Sequence, residues 1–352
     1  MRKKVLGIVG GLAAVAALGT ATFLLLKNDP GEESSSELMP EESSGTEVQL
    51  TSQKPENVVS IDVHNAAGDF EVVRVTEAEG ENDAVYAVAG WEDLPLDTSL
   101  LWTLSNNTAS MRSSDVVVEN CEELEKFALD EKNAQRVTLH FDDGSSYAFR
   151  IGSAISGSGM TYLAAENEDT VYTVQSSLVS NFSKAPMEFL SKTVLAEPAE
   201  EDYPTINYTK VERQDLDCVL QLDYDTAAED EENLSGTVAS HIMTSPVPAY
   251  LSVERSTPIV TGLFGLTADA VVVPHPSDAE KTQYGLSEDF GTVTMDCDDG
   301  NTYVLHMSQK QTSAEGTDCY YAYLDGVDAI YQFTAENLPW VTVTPVSYTH
   351  LT

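Results

Sequence analysis

Residues 137–151 read VTLHFDDGSSYAFRI, and residues 293–307 read VTMDCDDGNTYVLHM. In both stretches apolar and polar residues alternate on either side of an Asp-Asp-Gly triplet. The two stretches stay in register at an offset of 156 residues, from Val137 against Val293 to Tyr147 against Tyr303. Alternation is typical of a half-buried strand, and glycine permits the positive φ that a tight turn requires. The sequence therefore predicts the same β-hairpin twice.

The likeness extends beyond the hairpins. Phe127-Ala128-Leu129 precedes the first hairpin and Tyr284-Gly285-Leu286 precedes the second, while Val171-Tyr172-Thr173-Val174 matches Ile330-Tyr331-Gln332-Phe333 farther on. Because a solenoid repeats every ~20–50 residues, this longer repeat indicates two duplicated domains.

Helix signals lie ahead of each hairpin. Asp97 is a candidate N-cap, Asn120 with Glu123 resembles a capping box, and Thr257-Pro258 offers an N-cap and a first-turn proline. Alternating strands are predicted at 59–63 and 219–222. The predicted fold class is α+β: two tandem repeats, each a mainly antiparallel β-sheet with one or two helices packed on one face, after a single N-terminal transmembrane helix.

The N-terminus carries that helix signal. Arg2-Lys3-Lys4 is followed by an uncharged run from Val5 to Leu26 and then by Lys27. At ~1.5 Å per residue the run reaches ~33 Å, enough to span a bilayer core of ~30 Å. The positive charges before the run place the N-terminus inside the cell. A cleaved signal peptide is the alternative, but apolar residues continue through Phe23–Leu26, where a signal peptide would already have turned polar.

Composition divides the rest of the chain. Residues 28–57 are rich in Glu, Ser, Pro and Gly, which predicts a flexible tether. Pro and acidic residues collect at 196–206, which marks a boundary between repeats, and the final TPVSYTHLT is interpreted as a non-native tail. The predicted organisation is a membrane anchor at 1–27, the tether at 28–57, a first repeat at 58–195, a second repeat at 206–343 and the tail at 344–352.

The charge excludes one class of partner. The chain has 58 acidic and 18 basic residues, a formal net charge of −40, and four of the basic residues flank the N-terminal run. Nucleic-acid binding needs Lys and Arg to displace counterions from phosphates, so no nucleic-acid partner is expected. The acidity otherwise indicates solubility or, as an alternative, a cation or a basic partner.

Several features together resemble the bacterial domain of unknown function 4340 family. They are the Lys-rich start with a single anchor, Tyr284-Gly285-Leu286, the Asp-Gly hairpin, Ile151-Gly152 after the first hairpin and Leu190–Leu195 before the next repeat. The second repeat departs from the pattern, with Met307-Ser308 in place of Ile151-Gly152. The resemblance implies no known activity or catalytic residue. Its association with ABC export systems implies an accessory role in the cell envelope.

The cysteines and histidines suggest no reaction centre. Cys297 is predicted to be a buried thiol, a Cys297–Cys319 disulfide remains open, and no CxxC motif occurs. His140 and His306 are interpreted as solvated strand positions because their repeat counterparts are Asp296 and Arg150. The remaining cysteines are Cys121 and Cys218.

The acidic and glycine-rich segments have structural interpretations. Asp142-Asp143 and Asp298-Asp299 invite a calcium site, but the spacing of a calcium loop is absent, and turn chemistry accounts for Asp-Gly. Residues 152–159 resemble a phosphate loop without its Gly-Lys-Ser/Thr ending and are predicted to be a flexible loop. The acidic residues 227–233 are predicted to be a solvated loop.

Two functions follow as hypotheses. The first is a non-catalytic, membrane-anchored extracytoplasmic protein, an accessory of an ABC-type transport or envelope complex, with no catalytic, metal or cofactor residues. The alternative is a module that binds a cation, glycan or peptide at the junction between repeats or at the strand bearing Tyr320, Tyr321 and Tyr323, with Trp340. On a strand, Tyr321 and Tyr323 would share one face and Tyr320 the other. An enzyme is not expected.

Overall fold

The computed structural model describes residues 47–80, 82–225, 238–288 and 290–345. All of these ranges belong to one compact body. The predicted anchor at 1–27, most of the tether, the predicted acidic loop at 227–233 and nearly all of the tail lie outside the described residues. Within the described ranges, no helix has the length and apolar character needed to cross a membrane.

The first sheet is antiparallel, and its strand order is β3-β2-β1-β5-β6-β7-β8-β4. Its helices are α1 at Thr98–Ala109 and the single turn α2 at Ser176–Val179. Its strands are β1 Val58–Asn65, β2 Gly68–Thr76, β3 Val85–Val88, β4 Asp115–Val118, β5 Gln135–Phe141, β6 Ser146–Ile155, β7 Met160–Ala165 and β8 Val171–Gln175.

The second sheet is also antiparallel, in the order β12-β11-β10-β9-β14-β15-β17-β18-β13, with the short β16 paired to β17. Its helices are α3 at Val253–Val260 and α4 at Asp278–Gln283. Its strands are β9 Ile206–Arg213, β10 Leu220–Tyr224, β11 Val238–Ser245, β12 Ala249–Ser252, β13 Ala270–Pro274, β14 Gly291–Cys297, β15 Thr302–Met307, β16 Gln311–Thr312, β17 Asp318–Leu324 and β18 Ala329–Phe333.

The two orders coincide strand for strand when each sheet is read from the same edge. The path β3-β2-β1-β5-β6-β7-β8-β4 corresponds to β11-β10-β9-β14-β15-β17-β18-β13, and β12 is added beyond β11. The predicted hairpins are β5–β6 and β14–β15, and Gly144 and Gly300 in their turns have φ of +81° and +89°. The prediction of an α+β fold with antiparallel sheets is therefore confirmed.

Each sheet has buried apolar residues on both of its faces. The main core of the second sheet contains Leu324 and the fully buried Trp340, and Cys319 and Tyr321 lie in a separate outer cluster. Neighbouring residues of a strand point to opposite faces, so the two groups lie on opposite sides of the sheet. In the first sheet, Leu163 and Ala164 divide in the same way between a main core and an outer cluster.

Helical elements cover both of these faces, so the prediction of helices on one face was wrong. Helix α3 supplies Ile259 and Val260 to the main core, whereas α4 ends at the residues that cover the outer cluster, Tyr284 and Leu286. Strand alternation did predict which residues point inward. It could not show that a second apolar layer lies on the opposite face.

The motifs that precede the two hairpins end a helical turn in the same way. The Leu129 N–H donates to the carbonyl five residues earlier (3.0 Å), and the Ala128 N–H to the carbonyl three residues earlier (3.2 Å). Leu286 and Gly285 repeat both bonds at 2.7 and 3.0 Å. With φ of +57° at Ala128 and +70° at Gly285, both are Schellman motifs, which satisfy carbonyls at a helix end.

The helix starts agree only in part with the signals in the sequence. Asp97 caps α1 as predicted, since its Oδ1 accepts from the Leu100 N–H at 2.9 Å. The predicted capping box at Asn120 is wrong, because Asn120 has φ of +53° and the 3-10 turn beyond it has no side-chain cap. The predicted start at Thr257-Pro258 is also wrong, because α3 begins at Val253 and holds Pro258 inside it.

The segment that precedes each sheet is ordered. The Leu50 N–H donates to the Met111 carbonyl (2.9 Å), and the Val194 N–H donates to the Leu266 carbonyl (2.8 Å). Both segments thus pair with the stretch that follows the first helix of their sheet. The flexible tether predicted for 28–57 is therefore incorrect for residues 47–57, which pack on the first sheet.

Candidate functional site

The tyrosine-bearing strand β17 alternates as predicted. Tyr321 lies in the outer cluster, where its ring meets that of Tyr284 edge-on at 4.7 Å between centroids, and Tyr320 packs on the main core. Tyr321 is 6% exposed, and burial raises the pKa of its phenol well above the ordinary value. These rings are packed as core, because their faces already contact other side chains of the chain.

His306 is more enclosed than its sequence pattern predicted. Its ring stacks on Tyr323, with 4.5 Å between centroids and 6° between planes, and its Nε2 lies 3.1 Å from Asp325 Oδ1. The ammonium group of Lys281 lies 4.8 Å from the centre of the Tyr323 ring. The prediction of a solvated position was wrong, because α4 and the loop after β17 approach this face of the sheet.

His140 is half-exposed, as predicted. Its Nε2 lies 2.9 Å from Asp62 Oδ2 on the adjacent strand β1. At the equivalent position of the second sheet, Asp296 accepts from Asn207 Nδ2 at 3.0 Å and from the Thr302 hydroxyl at 2.7 Å, and these bonds lower the pKa of Asp296. Both positions thus link neighbouring strands on a wet face of the sheet.

The acidic hairpin turns use their carboxylates locally. Asp143 Oδ1 accepts from the N–H and the hydroxyl of Ser145, which lowers the pKa of Asp143. Asp298 Oδ1 accepts from the Thr205 N–H at 2.9 Å, and Asp299 accepts from Asn301. Turn chemistry therefore accounts for both motifs. Among the described residues, no group of three or more His, Cys, Asp or Glu side chains is arranged to hold a metal ion.

The cysteines are free thiols in the structure. Cys297 is buried in the main core of the second sheet, as predicted, and burial raises its pKa to about 11. Cys319 lies in the outer cluster on the opposite face, so the Cys297–Cys319 disulfide that the sequence left open does not form. Cys218 is partly exposed, and Cys121 is buried.

Two other candidates take different positions from those predicted. Gly152 and the next three residues belong to strand β6, so only 156–159 form a turn and the flexible loop predicted for 152–159 is wrong in its first half. Trp340 is fully buried, and its indole N–H donates to the Ile259 carbonyl at 3.1 Å. Trp340 therefore cannot line a groove with the tyrosines.

The two sheets meet at the connecting segment and at a contact between His275 and Asp93. Thr193 in the connection forms a β-bridge with Thr267, and Val194 enters the main core of the second sheet. His275, with φ of +47°, places its Nε2 3.0 Å from Asp93 Oδ1, which lies in the loop between β3 and α1. This junction is a packed contact with an exposed hydrogen bond between His275 and Asp93 at its rim.

A buried polar cluster on the first sheet was missed by the sequence analysis. Arg150 donates to the carbonyls of Leu129 and Glu168 at 3.1 and 2.8 Å, and its Nε lies 3.8 Å from Glu166. Arg136 approaches the other oxygen of Glu166 at 3.7 Å. Arg150 thus ties the end of the Schellman motif to the β7–β8 turn, which is a structural role.

The chain is similar to one known protein family. The chain matches the family described as Domain of unknown function (DUF4340) over residues 87–288, more than half of its length, and it belongs to that family. The matched range begins within β3 and ends just past α4, so it includes parts of both sheets. Neither the curated proteins nor the solved structures gave a match.

Proposed function

We propose that this protein is a non-catalytic accessory of an envelope or ABC-type transport complex, anchored in the membrane by its N-terminus with the folded body outside the cytoplasm. The observation that carries the proposal is the uncharged run from Val5 to Leu26 between Arg2-Lys3-Lys4 and Lys27. A run of this length favours a membrane span, and the preceding positive charges favour an inside N-terminus. The acidic body that follows is suited to an aqueous exterior.

We also infer that the two sheets are copies of one duplicated domain. The shared strand order, the repeated Schellman motif and the repeated pairing of the preceding segment support this inference. By these contacts the copies begin near residues 48 and 192, about 10 and 14 residues earlier than the starts at 58 and 206 that the sequence alone predicted. A duplicated scaffold offers two related surfaces to a partner complex.

Labelling of Cys218 tests the orientation. Cys218 is the partly exposed cysteine, whereas Cys121, Cys297 and Cys319 are buried. In intact protoplasts, a membrane-impermeant maleimide should label the full-length protein, and Cys218→Ser should abolish the signal. A cysteine introduced by Lys4→Cys in the Cys218→Ser background should react only after the membrane is permeabilised. Labelling of Cys218 only after permeabilisation would place the body inside the cell and contradict the proposal.

Co-purification tests the role. The full-length protein, isolated from native membranes under mild detergent, should bring down ABC permease and ATPase subunits above the level of a tagged control membrane protein. A variant that keeps the first 27 residues but replaces the folded body with an unrelated domain should not, because the body is the proposed contact. Recovery of the protein without these subunits would remove the support for an accessory role.

The alternative, a ligand-binding module at the tyrosine-bearing strand, has less support. Tyr321 is buried, Trp340 belongs to the main core, and the Tyr323 ring already contacts His306 and Lys281. A ligand at this place would have to displace side chains that pack together.

A further inference from the structure

A groove separates the start of β3 from the first two turns of α1. Its volume is about 410 Å³, within the ~300–1,000 Å³ typical of small-molecule sites. It is lined by Asp83, Ala84 and Val85 on the strand side and by Thr98, Ser99, Trp102 and Thr103 on the helix side.

Trp102 supplies an aromatic surface to this groove. Its ring packs partly against the main core of the first sheet and stays partly accessible. Within the described part of the chain it makes no ring contact, cation contact or side-chain hydrogen bond. Trp340 differs, because it is fully buried and its N–H is bonded. The indole of Trp102 is thus held in place with its polar group available.

The polar groups around Trp102 are also available. Asp83, Thr98 and Ser99 are exposed, and the described residues provide no side-chain partner for any of them. Thr103 is fixed, since its hydroxyl donates to the Leu100 carbonyl and accepts from Asn181 Nδ2 at 3.1 Å. One wall therefore holds a carboxylate, and the facing wall holds hydroxyls beside an indole.

In the corresponding groove of the second sheet, between β11 and α3, polar side chains already have hydrogen-bond partners within the protein. Its hydroxyls donate to helix carbonyls, as Ser256 does to Ser252 at 2.9 Å and Thr257 to Val253 at 2.7 Å. On its strand side His241 is buried and its Nε2 lies 2.8 Å from the Ile206 carbonyl. This groove has no tryptophan in its lining. The contrast indicates that the first groove is equipped for a ligand.

We propose that the groove between β3 and α1 binds a neutral saccharide, with Trp102 stacked on the C–H face of a sugar ring and Asp83, Thr98 and Ser99 hydrogen-bonded to its hydroxyls. An indole ring buries apolar area while its N–H and neighbouring hydroxyls pair with polar groups, which is the chemistry a pyranose presents. The site is defined by the first sheet alone and does not depend on where the membrane lies.

Other ligand classes fit this groove less well. An anion would face Asp83 within a chain of net charge −40. A single carboxylate in the lining is too few oxygens for a hard divalent cation. A peptide strand would need the outer edge of β3, but Tyr86, Ala87 and Val88 are only 1–3% exposed.

The experiment uses the full-length, ¹⁵N-labelled chain in a detergent without a sugar headgroup. Chitotetraose and cellotetraose are the saccharide probes, and choline and the peptide Ala-Tyr-Leu-Ser are the competing ones. The chain has three tryptophans, Trp91, Trp102 and Trp340, so Trp102→Phe and Trp91→Phe together assign their three indole N–H resonances. Either saccharide should shift the Trp102 resonance in a saturable manner and leave that of Trp340 unchanged.

Variants separate binding from folding. Trp102→Ala should weaken saccharide binding at least about tenfold and Asp83→Ala about fivefold, whereas Thr257→Ala in the second groove should leave it unchanged. The indole N–H resonance of Trp91, which packs on the same core as Trp102, reports that the first sheet of each variant is folded. Trp102→Phe provides a ring that preserves packing if the alanine variant unfolds. No Trp102 shift with either saccharide, a shift with choline or the peptide alone, or saccharide binding that survives Trp102→Ala would each overturn the proposal.

Discussion

Trp340→Ala should lower the free energy of unfolding by about 3–5 kcal/mol, the range measured when large aromatic residues are truncated in a core. Trp340 is fully buried in the main core of the second sheet, and its indole N–H donates to the Ile259 carbonyl at 3.1 Å. The variant would leave a cavity and a carbonyl at the end of α3 without its donor. Urea denaturation of the full-length chain, followed by circular dichroism, measures the change.

Tyr250→Ala is the matched control, because Tyr250 is an aromatic residue of the same sheet that is 51% exposed. Its removal should change the free energy of unfolding by no more than about 0.5 kcal/mol, as for most surface substitutions. An equal loss in both variants, or a loss below about 1 kcal/mol for Trp340→Ala, would contradict the packing assigned to the segment that follows β18.

Arg213 explains why that segment is held so firmly. Its Nη1 donates to the carbonyls of Trp340 and Val343 at 2.8 and 2.9 Å, and its other nitrogens pair with both oxygens of Asp215. The guanidinium lowers the pKa of the Asp215 carboxyl. A buried arginine with all these bonds ties the first strand of the second sheet to the last residues of its core. The folded structure therefore includes the chain at least as far as residue 343.

The hairpins could be predicted because alternation and Asp-Gly turns are local signals. Strand β9 went unrecognised although it opens the second sheet, because two of its buried positions hold the polar residues Thr209 and Arg213. The amino-acid composition gave a wrong prediction at residues 47–57. Glu, Ser and Pro there suggested a flexible tether, yet Leu50 and its neighbours pair with the chain after α1. Sequence patterns also gave no sign that α3 continues through Pro258.

The candidate groove between β3 and α1 could not be predicted from the sequence, for a different reason. In the sequence, Trp102 stands among Leu100, Leu101 and Leu104, where any large apolar residue is most simply assigned to a core. Leu101 and Leu104 are fully buried, whereas Trp102 lies at the margin of the core and lines the groove with Asp83, which lies just before β3. A site made by side chains on two elements appears only when their packing is known.

Gly152→Ser should destabilise the first sheet by about 3 kcal/mol, the upper end of the usual cost of overpacking. Serine stands at the matching place in the second repeat, Ser308, so sequence comparison alone would call the exchange mild. A Cβ on Gly152 would lie 2.2 Å from the Phe127 carbonyl oxygen and 3.0 Å from Leu129 Cγ. The backbone of the Schellman motif would have to move, because a carbonyl cannot swing aside as a flexible side chain can.

The reverse exchange is the matched comparison. Ser308→Gly removes a hydroxyl that accepts from the Tyr321 N–H at 2.9 Å and donates to the Gln309 carbonyl at 2.8 Å, a loss of about 1 kcal/mol. Ser153→Ala, at an exposed neighbour of Gly152, should cost less than about 0.5 kcal/mol. Urea denaturation of the three variants ranks them. If Gly152→Ser were no less stable than Ser153→Ala, the close approach of β6 to the Phe127 carbonyl would not govern this position.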